Sequence, residues 1–361
     1  MNCDVLLKVQ DPHHSAVANS FVPQNRASLC RPPKSELHIS RRSSVMPAQS
    51  SDCPLWRQFL DDVTRRDGEL KEYLQCLVGY MLTGVTREHV LVFIYGPGGN
   101  GKSVFIDTIA DIMADYATAA PMDAFTKLYA NRHPTELAML RGARLVTAHE
   151  TEQGRAWAES RIKQMTGGDP ITARFLRQDF FTYRPAFKIA IIGNYRPALQ
   201  SVQDAMRRRF HIIPFTHKPE RPDTGLHDKL REEAAGILRW AIEGSLIWQR
   251  RGLVPPPIVM AETENYFAAQ DVLGQWLEEC CAMDPSNDGW CEPIGSLFRS
   301  WRSFAEAANE EPGSMKAFAE ALEGRGFRSH RRRVHGKTTR VRLGIRLSRR
   351  TSASHGVTET E

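Results

Sequence analysis

No stretch of the chain reaches about 18 uninterrupted apolar residues, so no segment reads as a membrane-crossing helix. The first residues, MNCDVLLKVQDPHH, lack the basic stretch and apolar core of a secretory signal, and a cytoplasmic protein is expected. The seven cysteines (Cys3, Cys30, Cys53, Cys76, Cys280, Cys281 and Cys291) form no C-x-x-C pair and no zinc-ligand spacing. With the histidines also scattered, neither a disulfide framework nor a structural metal is expected. No repeat of solenoid length is present. One segment combines a lack of acids with a high density of bases. Arg325–Arg350 holds eleven Lys/Arg and no Asp or Glu. Removing those eleven charges from the overall +6 leaves −5 for everything else. Such a segment is either a solvated basic tail or a surface for a polyanion such as nucleic acid.

What is present is ordinary for a soluble globular chain: 361 residues, 41% hydrophobic and 25% charged. That length accommodates two or three compact units. Residues 1–53 carry Pro, Ser, Asn and His without sustained periodicity, and little order is expected there. Residues 54–88 form a helical module. Trp56, Phe59, Leu60 and Val63 recur at helical spacing, as do Leu70, Tyr73, Leu74, Leu77, Val78, Met81 and Leu82. Over 89–222, the apolar runs VLVFIY, RLVTAH, FKIAII and HIIPF alternate with helical patterns, which predicts an α/β core around a largely parallel sheet. Residues 223–283 read as a helical extension broken at Val254–Pro257. Residues 284–350 read as two helices, lined by Leu297, Trp301 and Phe304 and by Met315, Phe318, Ala319 and Leu322, then a basic hairpin. That order suits a winged-helix-like unit, and periodicity alone also allows other small α+β units. Residues 351–361 are expected to be a disordered tail.

The sharpest motif is GPGGNGKS, comprising Gly96, Pro97, Gly98, Gly99, Asn100, Gly101, Lys102 and Ser103. It satisfies G-x-x-x-x-G-K-[ST] with a strand before it and a helix after it. Backbone N–H groups of such a loop, with the helix dipole, cradle phosphates. Lys102 is expected at the β- and γ-phosphates, and Ser103 on Mg²⁺. The strand RLVTAH leads into Glu150 and Glu152 at its carboxyl end, where ligands bind in open α/β sheets. A carboxylate there holds Mg²⁺ through water or polarises the attacking water, unless the pair are solvated loop acids. Glu150, nearest the strand, is the first choice. FKIAII ends at Gly193-Asn194, either a simple turn or an amide placed to sense a γ-phosphate. The arginines of DAMRRRF are either a solvated face or an arginine finger for a neighbouring subunit.

Taken in order, FIYGPGGNGKSVF, LVTAHETEQGRAWAESRIKQMTGGDPITARFLRQDFF, FKIAIIGNYRPAL and RRRFHIIPF resemble the superfamily 3 helicases. More narrowly, they resemble the C-terminal helicase part of phage and plasmid primase-helicases. The resemblance runs from about Trp56 to Leu347. It implies a P-loop, AAA+-like ATPase that uses ATP and Mg²⁺. Lys102 and Ser103 match the Walker A positions, Glu150 and Glu152 the Walker B acids, and Asn194 the sensor asparagine. Arg208 and Arg209 match the paired arginines near the finger, with Arg209 preferred. Thr166–Pro185 matches the region in which the family places a DNA-following hairpin, making Arg174 and Arg177 candidate DNA contacts. Phe180 and Phe181 either stack there or are core residues. Arg331, Arg332 and Arg333 of the basic hairpin are further candidate DNA contacts.

The implied partners are single-stranded or forked DNA, further copies of the chain in a hexameric ring, and a separate primase or other replication proteins. Residues 1–53 are too short for the primase domain of full-length relatives, so primer synthesis is not expected of this chain. Two other readings share these motifs: an ATP-switched DNA-binding initiator that does not unwind, and a remnant of an integrated element.

Overall fold

The computed structural model describes residues 41–127, 135–150, 155–199, 204–308, 310–334 and 337–348. The chain divides into two compact units, Met1–Glu264 and Asn265–Glu361.

The first unit opens on α1 (Pro54–Val63) and α2 (Gly68–Met81). Pro54 supplies the fixed φ of a first helical turn and lacks the N–H that would be orphaned there. The next two N–H groups, of Leu55 and Trp56, donate to the Glu233 carboxylate at 2.9 and 2.8 Å. The predicted apolar faces are buried, Trp56, Leu74 and Leu77 completely. Asp67 caps α2 by accepting from Leu70 N at 2.9 Å. Of residues 1–53, where little order is expected, 1–40 lie outside the described residues, as does the expected tail 351–361; the remainder departs from the expectation. From Arg41 onward the chain is bonded to the core: Arg42 N donates to Asp115 Oδ2 at 3.1 Å, and Ser44 N to Ile112 O at 3.0 Å.

All four predicted strands are present: β1 (Leu91–Tyr95), β3 (Leu145–Glu150), β6 (Lys188–Gly193) and β7 (Phe210–Pro214). A fifth, β2 (Ala117–Ala119), was not predicted, since three small residues give no period. The sheet order is β2-β3-β6-β1-β7, and every pairing is parallel. Because the ladders run in one direction, the carboxyl ends Tyr95, Glu150 and Gly193 lie side by side. In register, Tyr95 faces Gly193 and Gly193 faces Glu150. Helix α3 (Lys102–Met113) follows β1, burying Phe105, Ile106 and Ile109 in one core with Val92, Ile94 and Ile192.

Short elements follow: α4 (Thr135–Ala138), α5 (Glu159–Gly167), the antiparallel ribbon β4 (Ile171–Ala173) and β5 (Phe181–Tyr183), and α6 (Asp204–Arg207). Then come α7 (Leu226–Glu232) and the long α8 (Ala234–Arg251). Helices α2 and α8 cross at glycines: a Cβ on Gly79 would collide with Ser245 N, and one on Gly244 with Gln75 O. The prolines break the helical pattern as read, between α8 and α9 (Pro257–Gln270). Thr263 of α9 accepts from Ile212 N at 3.1 Å, so this helix serves a backbone donor of edge strand β7.

The unit boundary at Glu264/Asn265 falls inside α9. The second unit contains α10 (Val272–Cys280), β8 (Cys281–Met283), β9 (Cys291–Pro293), α11 (Ile294–Ala307), α12 (Met315–Gly324), β10 (Ser329–Val334), β11 (Lys337–Leu343) and β12 (Ile345–Leu347). Its core is Trp276, Leu297, Phe298, Trp301, Phe318, Leu322 and Ile345. The two helices and the basic hairpin are as read, with Ser329 opposite Arg342 and Arg331 opposite Arg340. Strands β8, β9 and β12 are additions; β9 extends the hairpin to three strands and β12 pairs with β8.

Candidate nucleotide-binding site

Gly96–Gly101 fills the turn between β1 and α3. Gly99 and Gly101 have φ of +78° and +82°, a region that a side chain disfavours and glycine tolerates. Gly96 is required for a different reason, since a Cβ there would collide with Phe215 O. Phe215 N donates to Tyr95 O at 2.7 Å, and Asn100 Nδ2 donates to Phe215 O. The turn is thus tied at both ends to the exit of β7.

Lys102, at the first position of α3, is buried, and burial lowers its pKa from the ordinary lysine value. Its ammonium donates to Gly96 O at 2.7 Å, Asn100 Oδ1 at 2.9 Å and Asn194 Oδ1 at 2.9 Å. One side chain therefore joins the turn to the end of β6. Glu150 is buried at the end of β3 opposite Gly193, where a Cβ would stand 2.7 Å from Glu150 Cβ. Gly193 therefore lets β3 approach β6 closely.

These groups enclose a cleft of about 350 Å³ lined by Gly98–Val104, His149, Glu150, Ile192, Gly193 and Asn194. Gly96 and Pro97 belong to the turn but do not line it. The exposed Ser103 hydroxyl and the Glu150 carboxylate are hard oxygen donors beside Lys102, a donor set that suits Mg²⁺. Glu152 lies outside the described residues.

The three arginines before β7 separate. Arg207 binds both carboxylate oxygens of Glu264 at 2.7 Å. Arg209 Nε donates to Thr166 Oγ1 at 3.2 Å, and burial together with neighbouring Arg208 lowers its pKa. Arg208 is exposed. All three precede Phe210, which pairs with Leu91 at the amino edge of the sheet, whereas the glycine turn follows Tyr95 at the other edge. Four residues of strand, about 13 Å, separate the two edges.

Arg174 and Arg177 flank the β4–β5 turn, with Arg177 at φ +61°. Phe181 is half-buried and stacked on Phe175, while Phe180 is 60% exposed. Arg331, Arg332 and Arg333 lie on β10 of the second unit, exposed. Three residues near the nucleotide turn were not singled out from sequence. His149 lines the cleft, and its place as the last residue of RLVTAH was the available signal. Arg196 lies 3.9 Å over the Tyr95 ring and binds Glu262 at 2.8 Å. The Lys218 side chain reaches Gly99, its Cε 3.4 Å from where a Cβ would stand. Nothing in the sequence marked the last two.

A protein-family model described as a family of unknown function, DUF5906, matches residues 94–209. Among curated proteins, "Putative helicase L207/L206" of Acanthamoeba polyphaga mimivirus is 26% identical over 236 residues, 58% of this chain and 25% of that protein. "Putative helicase 022R" of Frog virus 3 is 27% identical over 258 residues, 64% of this chain and 26% of the other. "Putative primase C962R" of African swine fever virus (strain Badajoz 1971 Vero-adapted) is 21% identical over 328 residues, 83% of this chain and 31% of its own length. The chain thus spans about a quarter to a third of the length of these relatives. Among solved structures, the apo C-terminal region of NrS-1 (305–718) superposes with a TM-score of 0.54 at 13% identity, covering 83% of this chain and 77% of that one, a likeness of fold alone.

Proposed function

We propose that this chain is the ATP-hydrolysing motor of a replication helicase of superfamily 3 type, acting on single-stranded or forked DNA as a hexameric ring. The observation that carries the reading is the meeting of Lys102, Asn194 and Glu150 at one sheet edge around a glycine turn. ATP phosphates would lie on the turn's N–H groups and on Lys102. Mg²⁺, held by Ser103 and through water by Glu150, would neutralise charge on the β- and γ-oxygens. Glu150 would orient and deprotonate the attacking water, and Asn194 would hold it in line.

An arginine at the opposite edge cannot span about 13 Å to its own turn, which supports completion of the site by a neighbour. Arg208, exposed, is the better finger than Arg209, whose guanidinium is held by Thr166 of its own chain. The hairpin arginines Arg174 and Arg177 and the basic strand Arg331–Arg333 would follow DNA phosphates. The relatives named for helicases and primases support the replication setting.

The test is ATPase and strand separation on forked DNA. Lys102→Ala should abolish both while leaving the circular dichroism spectrum unchanged. Normal turnover in that variant would remove the central assignment. ATP-dependent DNA binding without strand separation by the wild type would favour the initiator instead.

A further inference from the structure

Thr263 of α9 serves the edge strand β7 by accepting from Ile212 N at 3.1 Å. Its two neighbours in sequence are glutamates, and both hold arginines. At 3.6 residues per turn, positions two apart on a helix differ by about 200°. Glu262 and Glu264 therefore leave α9 on nearly opposite sides, and they reach opposite edges of the sheet. Glu262 binds Arg196 at 2.8 Å, and that guanidinium lies 3.9 Å over the ring of Tyr95, the last residue of β1 before the glycine turn. At the amino edge, Arg207 Nη1 lies 2.7 Å from both carboxylate oxygens of Glu264.

All four side chains keep some exposure, and ion pairs of that kind contribute little to stability. What a carboxylate does fix is the direction of the arginine it holds. Each of these arginines stands beside a group of the proposed reaction. Arg196 is two residues past Asn194, which leaves the end of β6 exposed. Arg207 immediately precedes Arg208, and on the other side Arg209 is bonded to Thr166 Oγ1 at 3.2 Å. The exposed Arg208 thus stands between two tethered neighbours, a fixed base for a side chain that must reach outward.

We propose that Glu262 and Glu264 are positioning residues for the two halves of a shared nucleotide site. Glu262, through Arg196, holds Asn194 for the subunit's own turn. Glu264, through Arg207, holds Arg208 for the turn of the next copy. The inference rests on the ring reading above and adds to it one edge helix that sets both contributions of a subunit.

The test is steady-state ATPase of the full chain carrying Glu262→Gln or Glu264→Gln, which keep size and lose charge. Both should bind a non-hydrolysable ATP analogue as wild type does and lower kcat about tenfold. Mixing tells them apart. In an equal mixture with Lys102→Ala, Glu264→Gln should rise to about a quarter of wild type, because the added subunits supply intact fingers. Glu262→Gln in the same mixture should fall to about half its own activity, since its defect stays with its own turn. With Arg208→Ala as the added subunit the two should exchange behaviour. The exchanged pair Arg207→Glu/Glu264→Arg should regain the kcat that Glu264→Arg loses. An unchanged kcat in either Gln variant, a loss confined to ATP affinity, or the same mixing behaviour for both would overturn the proposal. So would a smaller assembly by light scattering, which would make these pairs a device for holding the ring. If Lys102→Ala and Arg208→Ala fail to complement each other in verified mixed rings, the ring reading fails first. If they complement and the glutamate mixtures do not diverge, the positioning roles fail alone.

Discussion

Removing the Arg208 side chain tests the assembly most directly, because the two edges of the sheet set what one subunit can do alone. Phe210 pairs with Leu91 and Pro214 with Tyr95, so about 13 Å of ladder lies between the arginines and the turn's entry. An arginine side chain extends about half that distance and starts from the wrong edge. On the proposed reading, the finger would come from a second copy. Arg208→Ala should bind ATP normally and hydrolyse it at least about 10³-fold more slowly, the usual worth of a finger. Exposed Arg208 takes no part in the core, so the melting temperature should hold. Mixing restores function selectively. In a head-to-tail ring of Arg208→Ala and Lys102→Ala subunits at equal amounts, about a quarter of interfaces join an intact turn to an intact arginine. Steady-state ATPase of the mixture should recover to about a quarter of wild type, while each variant alone stays inactive. Full hydrolysis by Arg208→Ala alone, or no recovery in verified mixed rings, would refute the assignment. Arg209→Ala gives the contrast, since it should also lower stability by about 1 kcal/mol through loss of its bond to Thr166.

Gly79→Ala should destabilise the first unit by at least about 2 kcal/mol, because its Cβ would meet backbone of α8; urea denaturation measures this. His211 is buried, and burial pulls its pKa down to about 4. A folded pKa below the unfolded value of about 6.5 means stability is full above pH 6.5 and falls as pH drops toward 4. The loss should approach 3 kcal/mol or roughly so by pH 4, and a His211→Gln variant should show a flatter profile over that window. In the second unit, Arg331 and Arg340 face each other across the hairpin, a repulsive pair that an anion would relieve. Arg331→Ala should reduce the slope of log affinity for DNA against log salt by about one, uniformly across sequences.

Much of the core was legible because its signals are local. Five- and six-residue apolar runs identify β1, β3, β6 and β7, and the glycine-lysine turn identifies what lies between β1 and α3. What escaped depends on distant neighbours. Gly79 reads as an ordinary helix residue until α8 crosses it, and Glu233 reads as a surface acid until it caps α1 from 178 residues away. The three arginines look alike in sequence. Glu264, Thr166 and solvent give them different environments. Phe180 and Phe181 also look alike in sequence, yet Phe181 starts β5 opposite Ala173 and is half-buried, while Phe180, one residue before the strand, is 60% exposed.

The hydrogen bond between Lys102 and Asn194 bears on the order of events. The lysine already holds three oxygen acceptors, so the proposed triphosphate would exchange partners and not simply add them. Heat released on nucleotide binding should therefore fall short of what new phosphate contacts alone suggest. Asn194 Oδ1 would also lose its cation if the lysine turned to a phosphate, and would be left to accept from another donor such as water. On the proposed reading, release of Asn194 Oδ1 would couple the seating of the nucleotide to the freeing of an acceptor at the end of β6.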